Sequence, residues 1–443
     1  MRFVVFSPVV GMSSIGRITG MLTSHLVSRN HEVIVVRSEA EPFLNEPVAH
    51  EFGAPVVSWR ASTQVWKAIA RSDVCLYEIG NHYGLHIGGL DWMVQSPGIV
   101  CLHDFVLVDV FRHWMNNHWD SGRRVLERWY GPEIADRFIA EARGRGSMEL
   151  AAANSPMTEW VASQALAVLT HGAWGLPRVL ASCPGPVAVA PLISAARVGS
   201  SPDGAHVDAH RRLRIVILGT VNANKLHQDV IAAMGSSALL REGCELQIVG
   251  DAPSDVLASL SALASTHQVR MVATGHVSDE EWEHRLAGAD VVCCLRRPAF
   301  EAASGSLIEA LLYAKPVIVT DAAFYGSLPD DVVHKVPDYD VIDSLRQALE
   351  DLCSSADRRA ALGARARSYA ERTFTVKNHA DILLELATRT LEVAPVLMLT
   401  RQMTRLLHDW GLSTVAEDPR LVGALELLSS EVRHANGRTP LGA

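Results

Sequence analysis

Short unbroken apolar runs alternate along the chain with longer stretches whose apolar residues return at helical spacing. The runs at residues 2–10, 32–37, 74–79, 99–103, 166–170 and 187–191 predict one set of buried strands. Those at 213–218, 245–249, 269–273, 291–295 and 316–320 predict a second. Continuous apolar strands separated by helical segments are the mark of parallel sheets covered on both faces. Between the two sets, residues 195–212 lose periodicity and fill with Gly, Ser, Pro, Asp and Arg, which reads as a linker. The pattern thus predicts an α/β protein of two Rossmann-like, doubly wound parallel-sheet domains facing a cleft. The assigned boundaries are 1–195, a linker at 196–212, 213–375, and a helical tail at 376–443 that packs back on the first domain. In such sheets ligands bind beyond the carboxyl ends of the strands.

Composition narrows the class. The 443 residues are 48% hydrophobic and 20% charged, which excludes a disordered or low-complexity chain. Forty basic against forty-nine acidic residues leave a net charge of −9, so no general nucleic-acid binder is expected. No apolar run is long enough to span a bilayer, and the opening residues read as a core strand rather than a leader. The expected compartment is the cytoplasm. Seven cysteines without a C-x-x-C pair read as reduced core residues. The helical tail around residues 395–412 interleaves Leu, Met and Trp with Arg and His. Packing against the first domain is its commonest explanation, with an oligomer contact and a peripheral membrane contact as the other two.

Candidate chemistry concentrates near residues 300–312. Ser304 suits a helix N-cap, and the free N–H groups of Gly305, Ser306 and Leu307 with the helix dipole suit a diphosphate. Glu301 falls just before that turn. Glu309 sits inside an otherwise apolar helix, where a carboxylate needs a partner such as the paired hydroxyls of a ribose. An ordinary capped helix with one exposed Glu is the plain alternative. The pair Asp104 and Asp109 lacks a D-x-D element, and no G-x-S-x-G elbow accompanies His103, so neither a carboxylate-held metal nor hydrolase chemistry is expected.

Glu301 and Glu309 together with the run from Ala310 to Asp321 resemble the E-x7-E element of retaining family 4 glycosyltransferases, which have the GT-B fold. The segments around Asp290, Gly275–Val277, Ile79–Asn81 and Pro97–Asp104 resemble other parts of that family's bacterial members, over about residues 1 to 375. The resemblance implies transfer of a sugar from a nucleotide-sugar donor, a UDP- or GDP-sugar, to a hydroxyl of a glycan, glycolipid or small metabolite. It implies no cofactor and no metal. It places Glu301 on the donor sugar, Glu309 on the ribose, residues 304–307 and Lys225 on the diphosphate, and His103 near the donor sugar. Gly11 and Gly16 would bound a loop approaching the phosphates, and His276 and Val277 would lie beside the base. Catalysis would rest on His103, Lys225 and Glu301. The family's usual arginine after Gly219 is replaced here by Thr220, with Arg296 and Arg297 as candidate substitutes. The Trp- and Arg-rich segment 105–149 suggests an acceptor surface, with Arg123 and Arg124 as its anionic-group contacts. A non-catalytic partner subunit of the same fold and a sugar-nucleotide epimerase are the alternatives. Homo-oligomerisation stays open.

Overall fold

The computed structural model describes residues 1–144, 148–194 and 211–409. The first sheet is built from β1 (Arg2–Ser7), β2 (Glu32–Arg37), β3 (Val56–Ser58), β4 (Val74–Ile79), β5 (Ile99–Leu102), β6 (Ala167–Thr170) and β7 (Val187–Val189). Its order is β3-β2-β1-β4-β5-β6-β7 and every pair is parallel. The second contains β8 (Leu213–Leu218), β9 (Cys244–Val249), β10 (Met271–Ala273), β11 (Val291–Cys294), β12 (Val317–Thr320) and β13 (His334–Val336). Its order is β10-β9-β8-β11-β12-β13, again all parallel. In both sheets the chain reverses direction of winding next to the first strand, between β1 and β4 and between β8 and β11. The loops leaving those four strands therefore flank the crevices where doubly wound sheets hold ligands.

The sequence runs fall on the strands, with their ends trimmed by one or two residues in most cases. Residues 8–10 leave β1 for the loop that leads to the Ser13 N-cap, whose Oγ accepts from the Gly16 N–H at 3.1 Å. The edge strands β3 and β13 were absent from the sequence expectation. Each is three residues long and pairs on one side only, too short to leave a periodic signature.

Segment 105–149 folds into the helices Val108–Asn117, Trp119–Tyr130 and Pro132–Arg143 and the start of Glu149–Asn154. Trp114 packs there on Phe111, His118 and Trp160 and so serves the core. The long helix Val376–Asp409 leaves the second domain and lies across the first. Its Ala380, Leu383, Leu386 and Ala387 are buried in one cluster with Phe3, Val5, Leu22 and Leu26. Arg401 and Arg405 donate to the carbonyls of Gln164 and Val94 at 2.8 and 3.1 Å, fastening the helix to that domain. Among the described residues no helix is long and apolar enough to cross a membrane. The proposed linker, apart from Arg211 and Arg212, lies outside the described residues, as does the tail beyond residue 409.

Candidate active site in the interdomain cleft

A cavity of about 370 Å³ opens between the domains. Asn81, Asp104 and Asp109 line it from the first domain, and Asn224, Phe300 and Glu301 from the second. Its floor is a direct interdomain tie, since the backbones of Asp104 and Glu301 form an isolated antiparallel bridge. Ala302, one residue on, is buried in the first domain's core cluster, and Phe300 packs against it. The loop after β11 is thereby anchored in the opposite domain, which fixes where Glu301 points.

Two buried cations stand behind that wall. Lys225, in the loop after β8, donates from Nζ to the Leu218 carbonyl at 2.8 Å. Burial, reinforced by the charge of Arg296, pulls its pKa down to about 8. Gly219 has φ of 88°, and a Cβ there would sit 2.8 Å from Nζ, so the lysine's position depends on glycine. Arg296 donates from Nε to Glu301 Oε1 at 2.5 Å and from Nη1 to the Leu295 carbonyl at 2.7 Å, while Thr320 Oγ1 receives its backbone N–H. Its guanidinium lies 5.8 Å from the Tyr325 ring centre. Arg296 thus supplies a second positive charge beside Lys225 in a chain that carries Thr220 where the resembling family has arginine.

Around this pair, Glu301 Oε2, Asn224 Oδ1, His227 Nε2 and the Tyr325 hydroxyl are buried without a hydrogen-bond partner. Each such orphan costs on the order of 1–3 kcal/mol. Burial and the two cations push His227 down to about 4, so its ring is neutral near pH 7. The two acceptor oxygens, Glu301 Oε2 and Asn224 Oδ1, suit ligand hydroxyls, while the two cations suit a ligand's negative charge.

The helix Gly305–Leu312 begins at the same place. Ser304 Oγ accepts the Leu307 N–H at 3.4 Å. That N–H is therefore engaged by the cap, which corrects the expectation of three free donors. The sequence could not say which donor Ser304 would take. Gly305 faces open space, and with Ser306 it presents the accessible start of the helix. Glu309, one and a half turns on, accepts from Trp282 Nε1 at 2.8 Å and from Arg17 Nη2 of the first domain at 3.2 Å. It borders a second cavity of about 200 Å³ shared with Arg17, Val277, Trp282 and Tyr313. Arg17 is thus a cross-cleft partner of Glu309.

Other expected residues sit differently. Gly16 is buried, and a Cβ there would lie 2.6 Å from the Pro8 carbonyl, so it serves close packing of the first helix. Gly11 is exposed, and a Cβ there would meet only Ala49, at 3.5 Å. His276 is 82% exposed and pairs with Asp251 at 3.0 Å on the surface, while its neighbour Val277 alone reaches the cavity. His103 does not point into the cleft as expected. Its Nε2 lies 2.6 Å from Glu78 Oε2 and its Nδ1 3.2 Å from His171 Nε2, both inside the first domain. Asp104, the next residue, takes the cavity wall instead. Burial pushes its carboxyl above the ordinary range, and the Asn81 N–H donating to Oδ2 at 2.7 Å opposes that rise. Arg123 is paired with Glu127 and Asp136 at 2.8 Å each, and Arg124 with Ser121; neither lines either cavity. Sequence reasoning passed over Trp282, Asn81 and Asp104 as site residues. Only the strand-end position of Asn81 and Asp104 hinted at them, since the facing side chain changes with each residue of register.

Comparison with known proteins follows this division. Residues 212–355, the second sheet and its helices, match the family model described as glycosyl transferases group 1. That span holds Lys225, Arg296, Glu301 and Glu309. No curated protein matches the chain. Among solved structures, sucrose-phosphate synthase from Thermosynechococcus elongatus superposes with a TM-score of 0.62 at 12% identity, covering 92% of this chain and all of the other. A glycosyltransferase from Rickettsia africae gives 0.60 at 12% identity over 88% of this chain and 98% of the other. The Anabaena protein HepE, crystallised with UDP-glucose, gives 0.57 at 15% identity over 88% of this chain and all of the other. The architecture is that of GT-B glycosyltransferases: two parallel-sheet α/β domains closed by a long C-terminal helix.

Proposed function

We propose that the protein is a retaining glycosyltransferase that moves a sugar from a nucleotide-sugar donor to an acceptor hydroxyl at this cleft. The observation that carries the reading is the Lys225–Arg296 pair, buried behind the start of the helix Gly305–Leu312 within the segment matching a glycosyltransferase family model. The donor diphosphate would lie against the Gly305 and Ser306 N–H groups and these two cations, where growing negative charge on the leaving group is stabilised. Glu309 and Trp282 would hold the nucleoside at the smaller cavity, with Arg17 yielding its place on Glu309 to the ribose. Glu301 would accept from the donor sugar's hydroxyls, its free Oε2 providing the valence, and Asp104 would face the same sugar. In front-face transfer the leaving diphosphate takes the acceptor proton, and the cleft excludes water that would hydrolyse the donor. The transfer is proposed to need no cofactor and no metal between carboxylates. A UDP- or GDP-sugar is the proposed donor, UDP-glucose being what one similar fold was crystallised with.

A panel of UDP-, GDP-, ADP- and TDP-sugars in thermal denaturation tests donor choice. A cognate donor at a hundredfold excess over its dissociation constant raises stability by about 2.7 kcal/mol. Proton NMR of the product then reads the anomeric configuration; an inverted product would refute the retaining mechanism. A protein that binds one donor tightly and turns over none with any acceptor fraction would be a partner subunit instead.

A further inference from the structure

The first domain holds a polar cluster outside both cavities. Three neighbouring strands end with a polar residue on the same sheet face: Leu76 is followed two residues on by Glu78, Cys101 by His103, and Leu169 by His171. The register places Glu78 opposite Cys101 and Cys101 opposite Leu169, so the side chains converge. Glu78, Cys101 and His171 are each 3% exposed or less. The ligand atoms of Cys101, His103 and His171 all lie within 4.8 Å of one another.

The hydrogen bonds fix the tautomers. Glu78 Oε2, 2.6 Å away, requires the proton of His103 on Nε2, and the Ala190 carbonyl at 3.1 Å requires that of His171 on Nδ1. With both rings neutral, the remaining nitrogens, His103 Nδ1 and His171 Nε2, face each other at 3.2 Å as two lone pairs. The Cys101 thiol, 3.7 Å from His171 Nε2, has one proton and can serve only one of them. A cation would relieve this arrangement. Bonds of about 2.0–2.1 Å to nitrogen and 2.3 Å to sulfur at tetrahedral angles separate the ligands by about 3.3 Å (N to N) and 3.6 Å (S to N). The observed spacings of 3.2 and 3.7 Å are close to those edges.

We propose that Cys101, His103 and His171 form a binding site for a divalent zinc-type cation that ties β5 and β6 together beneath the Asp104 loop. Each imidazole already has its outer nitrogen oriented by a carboxylate or carbonyl, as metal-bound histidines require. One thiolate and two imidazoles suit Zn2+ in ligand softness. The thiolate and Glu78, which lies against Cys101, together balance the charge of the ion, so the buried cluster is neutral. Binding releases the thiol proton to solvent.

The test uses the untagged full chain, purified without chelator and dialysed. Elemental analysis should find one tightly held zinc per chain after equilibration with Zn2+ alone. Co2+ in its place should give a thiolate-to-cobalt charge-transfer band with tetrahedral d–d bands. Cys101→Ala should abolish the charge-transfer band, and Glu78→Gln should weaken Zn2+ binding by about 10- to 100-fold. Should Cys101→Ala fail to fold, the wild-type cobalt spectrum and Glu78→Gln still decide. Absence of stoichiometric zinc and of the charge-transfer band in wild type overturns the proposal, as does equal Zn2+ affinity in a folded Cys101→Ala variant. A proton shared between the two rings would then account for their contact.

Discussion

The two domains treat the polar residues at their strand ends in opposite ways. In the first, Glu78, His103 and His171 turn onto the sheet face covered by the long C-terminal helix and meet one another inside the domain. In the second, Lys225, Arg296 and Glu301 stand at the cleft, and four nearby polar atoms lack partners. One set is sealed inside its domain, away from both cavities. The other borders the interdomain cavity through Asn224 and Glu301. The same doubly wound topology thus encloses one polar cluster within a domain and sets another, carried by the loops after β8 and β11, beside the cleft.

That contrast is broken most severely at the cations. Lys225→Met should lower turnover by about 100- to 1000-fold, the scale for removing a donor aimed at developing charge. Its stability effect should have the other sign. The folded pKa of about 8 lies below the ordinary 10.5, so the unfolded chain binds the proton more tightly and folding opposes the charge below pH 8. Lys225→Met should therefore be the more stable protein at pH 7, and the gap should close as pH rises from 8 towards 10. Denaturant unfolding across that range checks it; a variant less stable at pH 7 would show that the buried lysine is a structural tie.

Glu309→Gln comes next. Removing the charged acceptor should weaken nucleotide binding by about 1.5–3 kcal/mol, the scale of a hydrogen bond to a charged group. It should leave the helix intact, and titration calorimetry reads the difference. Gly219→Ala should cost about 1–3 kcal/mol of stability through its left-handed backbone and the contact with Lys225 Nζ. A smaller loss in thermal denaturation would mean that the lysine moves aside without strain.

The smallest effect belongs to the first domain's surface. Arg123→Gln with Arg124→Gln should leave stability essentially unchanged, because the Arg123 ion pairs are exposed and screened by solvent. The acceptor Michaelis constant should stay the same, since neither side chain reaches the cavities. A raised constant with unchanged donor affinity would restore this helical layer as an acceptor surface.

These positions also show what a sequence carries. The central strands and the capped helix at Ser304 were legible because buried parallel strands are unbroken apolar runs and an N-cap is a local event. Glu301, Glu309 and Lys225 stood out by spacing and resemblance. What side chains do to one another across the chain was not legible. That His103 would face Glu78 and His171, leaving the cleft to Asp104, depends on register between strands far apart in sequence. Arg17 meeting Glu309 depends on domain docking, and Arg123 reads identically whether it binds an acceptor or Glu127.

The claim that the second domain's strand ends form a diphosphate receptor is tested most directly by proton-linked calorimetry. A nucleoside diphosphate is titrated into the full chain near pH 8.5 in buffers of different ionisation enthalpy. A diphosphate placed against Lys225 restores its ordinary affinity for a proton, so binding should take up a substantial fraction of one proton in wild type and markedly less in Lys225→Met. Tight binding with equal proton uptake in both proteins, or no binding by any nucleoside diphosphate, would contradict the account.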